Sequence, residues 1–370
     1  MRSHEHTNSG IWTIVGGGSG GLAVCAALGM QGLTARLLTT SDETADAVTR
    51  QGGVAVRGAM EGLGPVSLAT TDAKDALTDA SIVMIVLPSP YHEQTFARIA
   101  PYLEPGQILV LHPGMTLGAL ACQRALKRLG VDVSSLTIAE TQTLIYACRK
   151  EGAASVVIHG IKRAVPLAAL PTQATNVVLQ ALHPAFGQFT KAENTLVTGL
   201  GNINAIIHPA PTLLNITRLE GSVPWTYFHD GMTPSIGRFL ERMDAQRITI
   251  GASFGTELPS ISEIYRSLYG SSEESLLAIL QGIEAYRKFP GPLGIGTRYL
   301  LEDIPYGLVP MSSLAQIAGI PCDCIEATIN LASLLLGSDF SKTGRTLGSL
   351  GLEGLSCSQI REVCTYGSNV

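Results

Sequence analysis

The chain has 370 residues, of which 45% are hydrophobic and 5% aromatic, and its formal net charge is −5. This length suits two domains of ordinary size, with cores built mainly from aliphatic side chains. The acidic balance offers no basic surface for a phosphate backbone, and every apolar run is interrupted before it could span a bilayer, so we expect neither nucleic acid nor a membrane as a partner.

The cysteines indicate a reducing environment. There are 7 of them, an odd number without the spacing of a disulfide framework. Cys322 and Cys324 form a C-x-C pair, but no nearby Cys or His completes a tetrahedral metal site. We therefore expect a cytoplasmic protein with reduced thiols and no bound metal.

In the first half of the chain, strand-like and helix-like segments alternate. The segment 82–87 (IVMIVL) is apolar throughout, which is typical of a strand buried on both faces of a parallel sheet. The alternation predicts an α/β fold, a Rossmann domain with a mostly parallel, doubly wound sheet. Predicted strands are 11–15, 35–38, 54–56, 66–69, 82–87, 107–111, 137–139 and 155–158, and predicted helices are 22–30, 44–51 and 117–129.

After about residue 194 the pattern becomes helical. Segments 234–251, 272–288 and 323–336 have helical spacing, and strand-like alternation largely disappears. We predict a nucleotide-binding domain over 1–196 and an all-helical domain over 197–370. The cleft between two such domains is the expected place for chemistry.

A glycine-rich turn, GGGSGG, follows the first strand and opens the first helix. It satisfies G-x-G-x-x-G at Gly16, Gly18 and Gly21, and Ser19 and Gly20 complete it. Gly16 permits the tight turn after the strand, Gly18 lets a pyrophosphate approach the backbone, and Gly21 lets the helix pack closely against the sheet. The helix N-terminus adds free N–H groups and the positive end of its dipole. The turn predicts a nicotinamide dinucleotide, NADP or NAD, as the cofactor.

The end of the second strand bears on which of the two nucleotides binds. Enzymes that use NAD usually place an acid there, whereas this chain has Thr39 and Thr40. Hydroxyl side chains tolerate a 2′-phosphate, and Arg36 or Arg50 could supply positive charge. The sequence slightly favours NADP.

Three histidines compete for the role of a proton donor. His92 and His112 follow predicted strands and could line the cofactor cleft. His208 lies one helical turn after Asn204, so the two side chains would share a helix face. Pro209 disfavours the α conformation at His208. Spacing alone favours a structural role for His208 over a catalytic one.

Arg298 and Asp303 lie in an otherwise apolar segment, which suggests that they are paired or face a cleft. An Asp bonded to an imidazole nitrogen would fix the tautomer of His208, and a guanidinium recognises a carboxylate through two hydrogen bonds. The alternative, which the sequence alone favours, is a surface salt bridge between Arg298 and Asp303 themselves.

Long ordered motifs give the chain a resemblance to the opine dehydrogenase family, over nearly its whole length. Four of them are NINAIIHPAPTLLN (202–215), GMTPSIG (231–237), TRYLLEDIPYGLVP (297–310) and DFSKTGRTLGSLGLEGL (339–355). The resemblance implies a Rossmann domain followed by a helical domain, and the reductive condensation of an amino acid with an α-keto acid, typically pyruvate, through an imine.

Carried over by position, the resemblance implies that His208 is the catalytic histidine, Asp303 its carboxylate partner, and Arg298 the residue that holds the keto-acid carboxylate, with Asn204 as a further substrate contact. One departure concerns the cofactor, because relatives in this family carry an Asp near Thr39. Because this chain lacks that Asp, the resemblance does not decide whether it prefers NAD or NADP.

Two other functions stay possible at this point. One is a keto-acid or keto-alcohol reductase that needs no amine, and the other is a catalytically silent nucleotide-sensing protein. Apolar residues such as Trp225 and Tyr227 could form the amino-acid pocket or belong to the core. The partners expected are small-molecule substrates and, because helical second domains often pair, a second copy of the chain in a homodimer.

Overall fold

The computed structural model describes residues 10–367 and separates them into two compact units. The first comprises residues 10–114, 118–195 and 365–367, and the second comprises residues 115–117 and 196–364. The predicted domains change at residue 196, and their predicted ends, 1 and 370, lie outside the described residues. Two short segments belong to the unit on the other side of this boundary: residues 115–117 lie in the second unit, and residues 365–367 lie in the first.

The first unit contains an eight-stranded sheet of order β12-β11-β8-β7-β6-β1-β2-β5. Its central strands are parallel, while β11 runs antiparallel to β8 and parallel to β12. This is the mostly parallel Rossmann sheet that the sequence predicts. The strands are β1 (Ile11–Val15), β2 (Ala35–Leu38), β5 (Leu68–Thr70), β6 (Ala80–Ile85), β7 (Ile108–Leu111), β8 (Thr137–Thr141), β11 (Val165–Leu170) and β12 (Phe189–Lys191).

A second, four-stranded sheet of order β4-β3-β10-β9 was not predicted as a separate sheet. Its outer strands pair antiparallel, and β3 and β10 pair parallel in the middle. The sequence predicted parts of β3 and β10 as members of the main sheet, and it missed β4 and β9. The strands are β3 (Gly53–Gly58), β4 (Gly62–Pro65), β9 (Tyr146–Gly152) and β10 (Ser155–Ile161).

Helix α1 joins the hydrophobic core of both sheets, which explains its composition. Every residue from Gly21 to Gly29 is buried, so the helix has no polar face. Small side chains let the backbones come close: a Cβ at Gly64 of β4 would lie 2.2 Å from the carbonyl oxygen of Ala26. The helices of this unit are α1 (Ser19–Met30), α2 (Asp42–Gln51), α3 (Ala73–Leu77), α4 (His92–Ile99), α5 (Gly118–Arg128) and α6 (Thr175–Leu182).

The second unit is helical, apart from an isolated bridge between Thr226 and Pro290. Its helices are α7 (Thr195–Leu200), α8 (Asn204–Ile207), α9 (Pro209–Leu214), α10 (Ile216–Leu219), α11 (Pro234–Ser253), α12 (Ile261–Tyr269), α13 (Leu276–Gly282), α14 (Arg298–Leu301), α15 (Val309–Ala318), α16 (Asp323–Leu336), α17 (Phe340–Thr343) and α18 (Cys357–Tyr366). A π-helical turn, Ile304–Leu308, connects α14 to α15.

The longest helix, α11, carries a fully buried ion pair. The guanidinium of Arg247 binds Asp244 at 2.7 Å and donates to the carbonyl oxygens of Leu200 and Pro259. The carboxylate of Asp244 also accepts the N–H of Ile261 at 2.7 Å. Because each charge has several partners, the pair ties α11 to the end of α7 and the start of α12.

One predicted helix is shorter than expected. The segment 272–288 forms α13 only over Leu276–Gly282, and a single 3₁₀ turn, Glu284–Tyr286, follows. Ser275 caps α13 by accepting the N–H of Ala278, and Ile283 leaves the helical conformation. None of the helices described between residues 10 and 367 combines the length and the apolar character needed to cross a bilayer.

Candidate functional site

The glycine turn leaves β1 and enters α1 with the geometry that a dinucleotide requires. Gly16 has φ of 133°, in the region open to glycine, and its N–H donates to the carbonyl of Leu38 at 2.8 Å. A Cβ at Gly21 would lie 1.7 Å from the carbonyl oxygen of Gly16, so the helix can approach the strand only without a side chain there. Both glycines are needed by the backbone itself.

Gly18 differs from these two glycines because a Cβ there would meet nothing within 4 Å. It is exposed and stands at the N-cap of α1 without a side-chain cap. The first hydrogen bond within the helix runs from the N–H of Leu22 to the carbonyl of Gly18. The N–H groups before Leu22 therefore have no acceptor inside the helix and can donate to a ligand. Space and donors together fit a bound pyrophosphate at residues 16–21.

The arginines proposed from the sequence as charges near the ribose are engaged elsewhere. The guanidinium of Arg36 donates to the backbone carbonyls of Asp75, Ala76 and Thr78. Arg50 is exposed near the C-terminus of α2 and donates to the carbonyl of Asp46. Neither side chain donates to the backbone of Thr39 or Thr40. Both arginines thus donate to backbone carbonyls of α2 and α3 or of the residue after α3, and their role near the ribose stays a prediction.

His112 is a structural histidine in the interior of the first unit. Its ring is fully buried, with Nδ1 2.6 Å from the Thr141 hydroxyl and Nε2 accepting the N–H of Ile145. Burial, reinforced by the charge of Lys162, lowers the pKa of His112 to about 3. His92 is also buried, and its Nε2 lies 3.0 Å from the carbonyl oxygen of Leu87. The structure therefore does not place either ring at the surface of a cleft.

His208 stands at the junction of α8 and α9. Its N–H donates to Asn204 one turn earlier, and its carbonyl accepts the hydroxyls of Thr212 and Tyr227, each at 2.6 Å. Contrary to the expectation from Pro209, His208 is in the α conformation. Proline is tolerated there because it is the first residue of α9, where its missing N–H is not needed.

The imidazole of His208 is held on two sides. Its Nδ1 lies 2.8 Å from a carboxylate oxygen of Asp303, and the side chains are only 10% and 2% exposed. Tyr299 stacks on the ring at 3.9 Å between centroids and 15° between planes. The sequence reasoning missed Tyr299, although its position next to Arg298 was visible. The structure thus brings His208 and Asp303 together and fixes the plane of the ring.

Arg298 begins α14 and pairs with Glu302, not with Asp303. The distance from Arg298 to Glu302 is 3.7 Å, and the two side chains are 58% and 5% exposed. The guanidinium also lies 5.7 Å from the centroid of the Tyr299 ring. A surface salt bridge between Arg298 and Asp303 is therefore not formed, and Glu302 is a further residue that the sequence reasoning missed.

The aromatic residues near His208 belong to the core. Tyr227 is fully buried, and burial raises its pKa well above the usual value. Trp225 is also buried, and its indole N–H donates to the carbonyl of Pro292 at 3.1 Å.

Asn204 lies in the first position of α8 and is half-buried. Within residues 10–367, no cluster of His, Cys, Asp and Glu is placed to hold a metal ion.

Comparison with known proteins agrees with this architecture. Residues 191–336 match the family described as NAD/NADP octopine/nopaline dehydrogenase, alpha-helical domain, and residues 12–124 match NAD-dependent glycerol-3-phosphate dehydrogenase N-terminus. An opine dehydrogenase from Arthrobacter sp. (strain 1C) is 36% identical, over 95% of this chain and 97% of the relative.

Solved structures of two other dehydrogenases show the same fold. Octopine dehydrogenase in complex with NADH and agmatine has a TM-score of 0.78 at 22% identity, and the match covers 97% of this chain and 98% of that one. A further structure of octopine dehydrogenase holds NADH and pyruvate. Yersinopine dehydrogenase with NADP+ bound has a TM-score of 0.69 at 12% identity, over 96% and 97% of the two chains.

A Rossmann sheet with an open glycine turn, followed by a helical unit with a carboxylate-bound histidine, defines an NAD(P)-dependent oxidoreductase. The domain matches and the full-length relative identify it as one that acts on CH–NH donors. The chain belongs to the opine dehydrogenase family. Its reaction is the reductive condensation of an amino acid with an α-keto acid.

Proposed function

We propose that His208, supported by Asp303, donates the proton of this reaction, that Arg298 binds the α-keto acid, and that the keto acid is pyruvate. The observation that carries the proposal is the 2.8 Å contact between the buried imidazole of His208 and the buried carboxylate of Asp303. A carboxylate at Nδ1 fixes the tautomer of a histidine and stabilises its charged form, which prepares the other nitrogen to act as an acid.

The reaction sets clear requirements on these side chains. The amine adds to the carbonyl carbon and gives a carbinolamine. Protonated His208 would donate from Nε2 to the hydroxyl group of the carbinolamine, which leaves as water, and because the nitrogen keeps its remaining proton the product is a protonated imine. NAD(P)H, when bound at the glycine turn, would supply the hydride that reduces the carbon of this protonated imine to the secondary amine, and the neutral His208 takes up a proton before the next turnover. Asp303 and Tyr299 together keep the imidazole ring in one plane.

Arg298 is suited to hold a carboxylate. Its side chain is 58% exposed, so a substrate can reach it, and its contact with Glu302 is long at 3.7 Å. A guanidinium binds a carboxylate through two parallel hydrogen bonds, which fixes the orientation of the carbonyl group beside it. Pyruvate has this carboxylate next to its carbonyl, and octopine dehydrogenase has been solved with pyruvate.

Steady-state kinetics of His208→Gln test the proposal. With pyruvate and an amino acid present, we expect kcat to fall by about 10²- to 10⁴-fold, the usual contribution of a general acid. Binding of NADPH, followed by its fluorescence, should stay unchanged. His183→Gln, at an exposed position of the first unit, is the matched control and should retain full activity.

Wild-type turnover in His208→Gln would contradict the assignment. Oxidation of NADPH with pyruvate in the absence of any amine would instead support a simple keto-acid reductase. The two outcomes are separated by assaying each variant with and without a panel of amino acids.

We also infer that the enzyme works in the cytoplasm as a homodimer. Leu331, Leu334 and Leu335 share one face of α16 and are 38%, 83% and 43% exposed, which supports a second copy as their cover. The free thiols of Cys25 and Cys322 support a reducing compartment.

A further inference from the structure

We propose that the first unit contains a site for the 2′-phosphate of NADP(H), formed at the end of β2 with Lys150 and Arg98 as its positive charges. The inference rests on the proposed function only in requiring a dinucleotide at the glycine turn. Neither residue was singled out by the sequence, because both are distant from the turn along the chain.

The end of β2 lacks the acid that an NAD site uses to hold the ribose hydroxyls. Thr39 and Thr40 occupy this place, and Thr39 is directly beside the glycine turn, since a Cβ at Gly17 would lie 2.4 Å from its hydroxyl. The first acid, Asp42, is exposed, and its carboxylate accepts the hydroxyl of Thr71 at 3.0 Å. The position is therefore neutral, and the exposed Thr40 offers its hydroxyl to a phosphate, whereas the buried Thr39 hydroxyl accepts the N–H of Ser41.

Lys150 reaches this place from β9. Its backbone N–H donates to the Ser19 hydroxyl at 2.9 Å, which attaches the strand to the glycine turn. Its ammonium group donates to the carbonyl of Gly17 at 3.0 Å and to the hydroxyl of Thr44 at 2.9 Å. An ammonium has three N–H bonds, so one donor is left after these two contacts.

Arg98, on α4, approaches Thr39 by a different route. Its Nη2 donates to the carbonyl of Thr39 at 3.1 Å and to the carbonyl of Thr71. These contacts use one of the three guanidinium nitrogens, so Nη1 and Nε can donate to a ligand. Lys150 contacts the glycine turn beside Thr39, and Arg98 contacts Thr39 itself.

Two half-buried cations at a neutral strand end fit a dianion better than a ribose hydroxyl. A 2′-phosphate offers several oxygens to Lys150, to Arg98 and to the exposed hydroxyl of Thr40. The unmodified ribose of NAD has no charge with which to pair them. The site thus selects for the phosphorylated nucleotide.

Isothermal titration calorimetry with 2′,5′-ADP and 5′-AMP tests the site, because the two ligands differ only in the phosphate at issue. We expect the wild-type protein to bind 2′,5′-ADP at least about tenfold more tightly than 5′-AMP. Lys150→Met and Arg98→Met should each weaken 2′,5′-ADP binding by about 10- to 100-fold and change 5′-AMP binding by less than about threefold.

Two further variants keep the result interpretable. Lys150→Arg retains the charge and should retain most of the preference for 2′,5′-ADP. Lys127→Met removes an exposed positive charge from α5 and should leave the binding of both ligands unchanged. Circular dichroism and the melting temperature of each variant establish that it is folded.

The proposal is overturned if the wild-type protein binds both ligands equally. It is overturned as well if folded Lys150→Met loses both ligands to the same extent, since that would make Lys150 a support of the glycine turn alone. Neither ligand contains nicotinamide or a keto acid, so failure of the role proposed for His208 would leave these titrations unaffected.

Discussion

At the scale of single residues, His208 shows how much structure is needed to orient one imidazole. The side-chain hydroxyls of Thr212 and Tyr227 donate to its carbonyl, Asp303 holds Nδ1, and Tyr299 covers one face of the ring. These contacts come from α9, from Tyr227 and from the segment 299–303. The orientation of His208 is therefore a property of packing that helical spacing alone could not establish.

Arg298 offers a prediction at the same scale. Arg298→Met should raise the KM for pyruvate by about 10- to 100-fold, because a charge-assisted bond to the carboxylate is lost. Arg298→Lys should give an intermediate KM, since an ammonium keeps the charge but not the two-pronged geometry. Initial rates at varied pyruvate and saturating amine measure the effect.

Arg287→Met is the matched control, because Arg287 forms a comparable exposed pair with Glu284. Its KM for pyruvate should equal that of the wild type. A normal KM in Arg298→Met, with only kcat reduced, would contradict the assignment of Arg298 to the substrate carboxylate.

At the scale of elements, His112 joins the end of β7 to β8 and the loop that follows. The neutral ring with a proton on Nδ1 satisfies both of its contacts: Nδ1 donates to Thr141, and Nε2 accepts the N–H of Ile145. A second proton on Nε2 would face that N–H. This geometry explains why burial lowers the pKa of His112 to about 3.

The lowered pKa predicts a pH dependence of stability. Between pH 6.5 and 3 the unfolded chain binds a proton at His112 that the folded chain does not, so stability is lost as the pH falls through this window. The loss should reach about 2 kcal/mol by pH 5. Urea unfolding at a series of pH values, followed through the fluorescence emission of Trp12, measures this loss of stability.

His112→Gln should flatten this dependence, because glutamine does not titrate. His183→Gln, at an exposed position, should leave the slope as in the wild type. Equal slopes in His112→Gln and the wild type would show that other groups govern the acid side of stability.

Elements with strong local patterns were predictable, and those defined by tertiary contacts were not. The helix α16, Asp323–Leu336, and the strand β1, Ile11–Val15, have the predicted bounds because their apolar periodicity is regular. The strand β9 has a single buried residue, Tyr146, followed by alternating exposed and half-buried positions, and it is rich in charge, so it did not stand out.

The same distinction applies to the site. Gly16, Gly18 and Gly21 form a contiguous motif whose mechanics are local, and the structure gives them the expected geometry. Lys150 was missed because its proximity to Gly17 depends on the pairing of β9 with β10, which no local signal specifies. Asp303 stood out as a charge in an apolar segment, but its spacing did not favour His208 over Arg298 as its partner, and only the family resemblance did.

At the scale of the whole molecule, the distribution of tryptophan gives each unit its own reporter. The chain has 2 tryptophans, and both are buried, Trp12 in the first unit and Trp225 in the second. Trp225→Phe and Trp12→Phe variants therefore follow the unfolding of one unit each.

With this pair of variants, 2′,5′-ADP should raise the unfolding temperature reported by Trp12. A ligand present at 100 times its Kd stabilises the folded form by about 2.7 kcal/mol. The same concentration of 5′-AMP should give a smaller shift. Thermal scans of the Trp225→Phe variant measure both, and no shift with either nucleotide would contradict binding at the glycine turn.

The π-helical turn at Ile304–Leu308 has a consequence for helical phase. Such a turn closes over five residues, so it holds one more residue than an α-helical turn would. Each residue advances the direction of side chains around a helix by about 100°. The extra residue therefore rotates the side chains of α15 by about 100° relative to Asp303, which precedes the π-helical turn. Asp303 faces His208, and the buried side chains of α15 face the core in another direction.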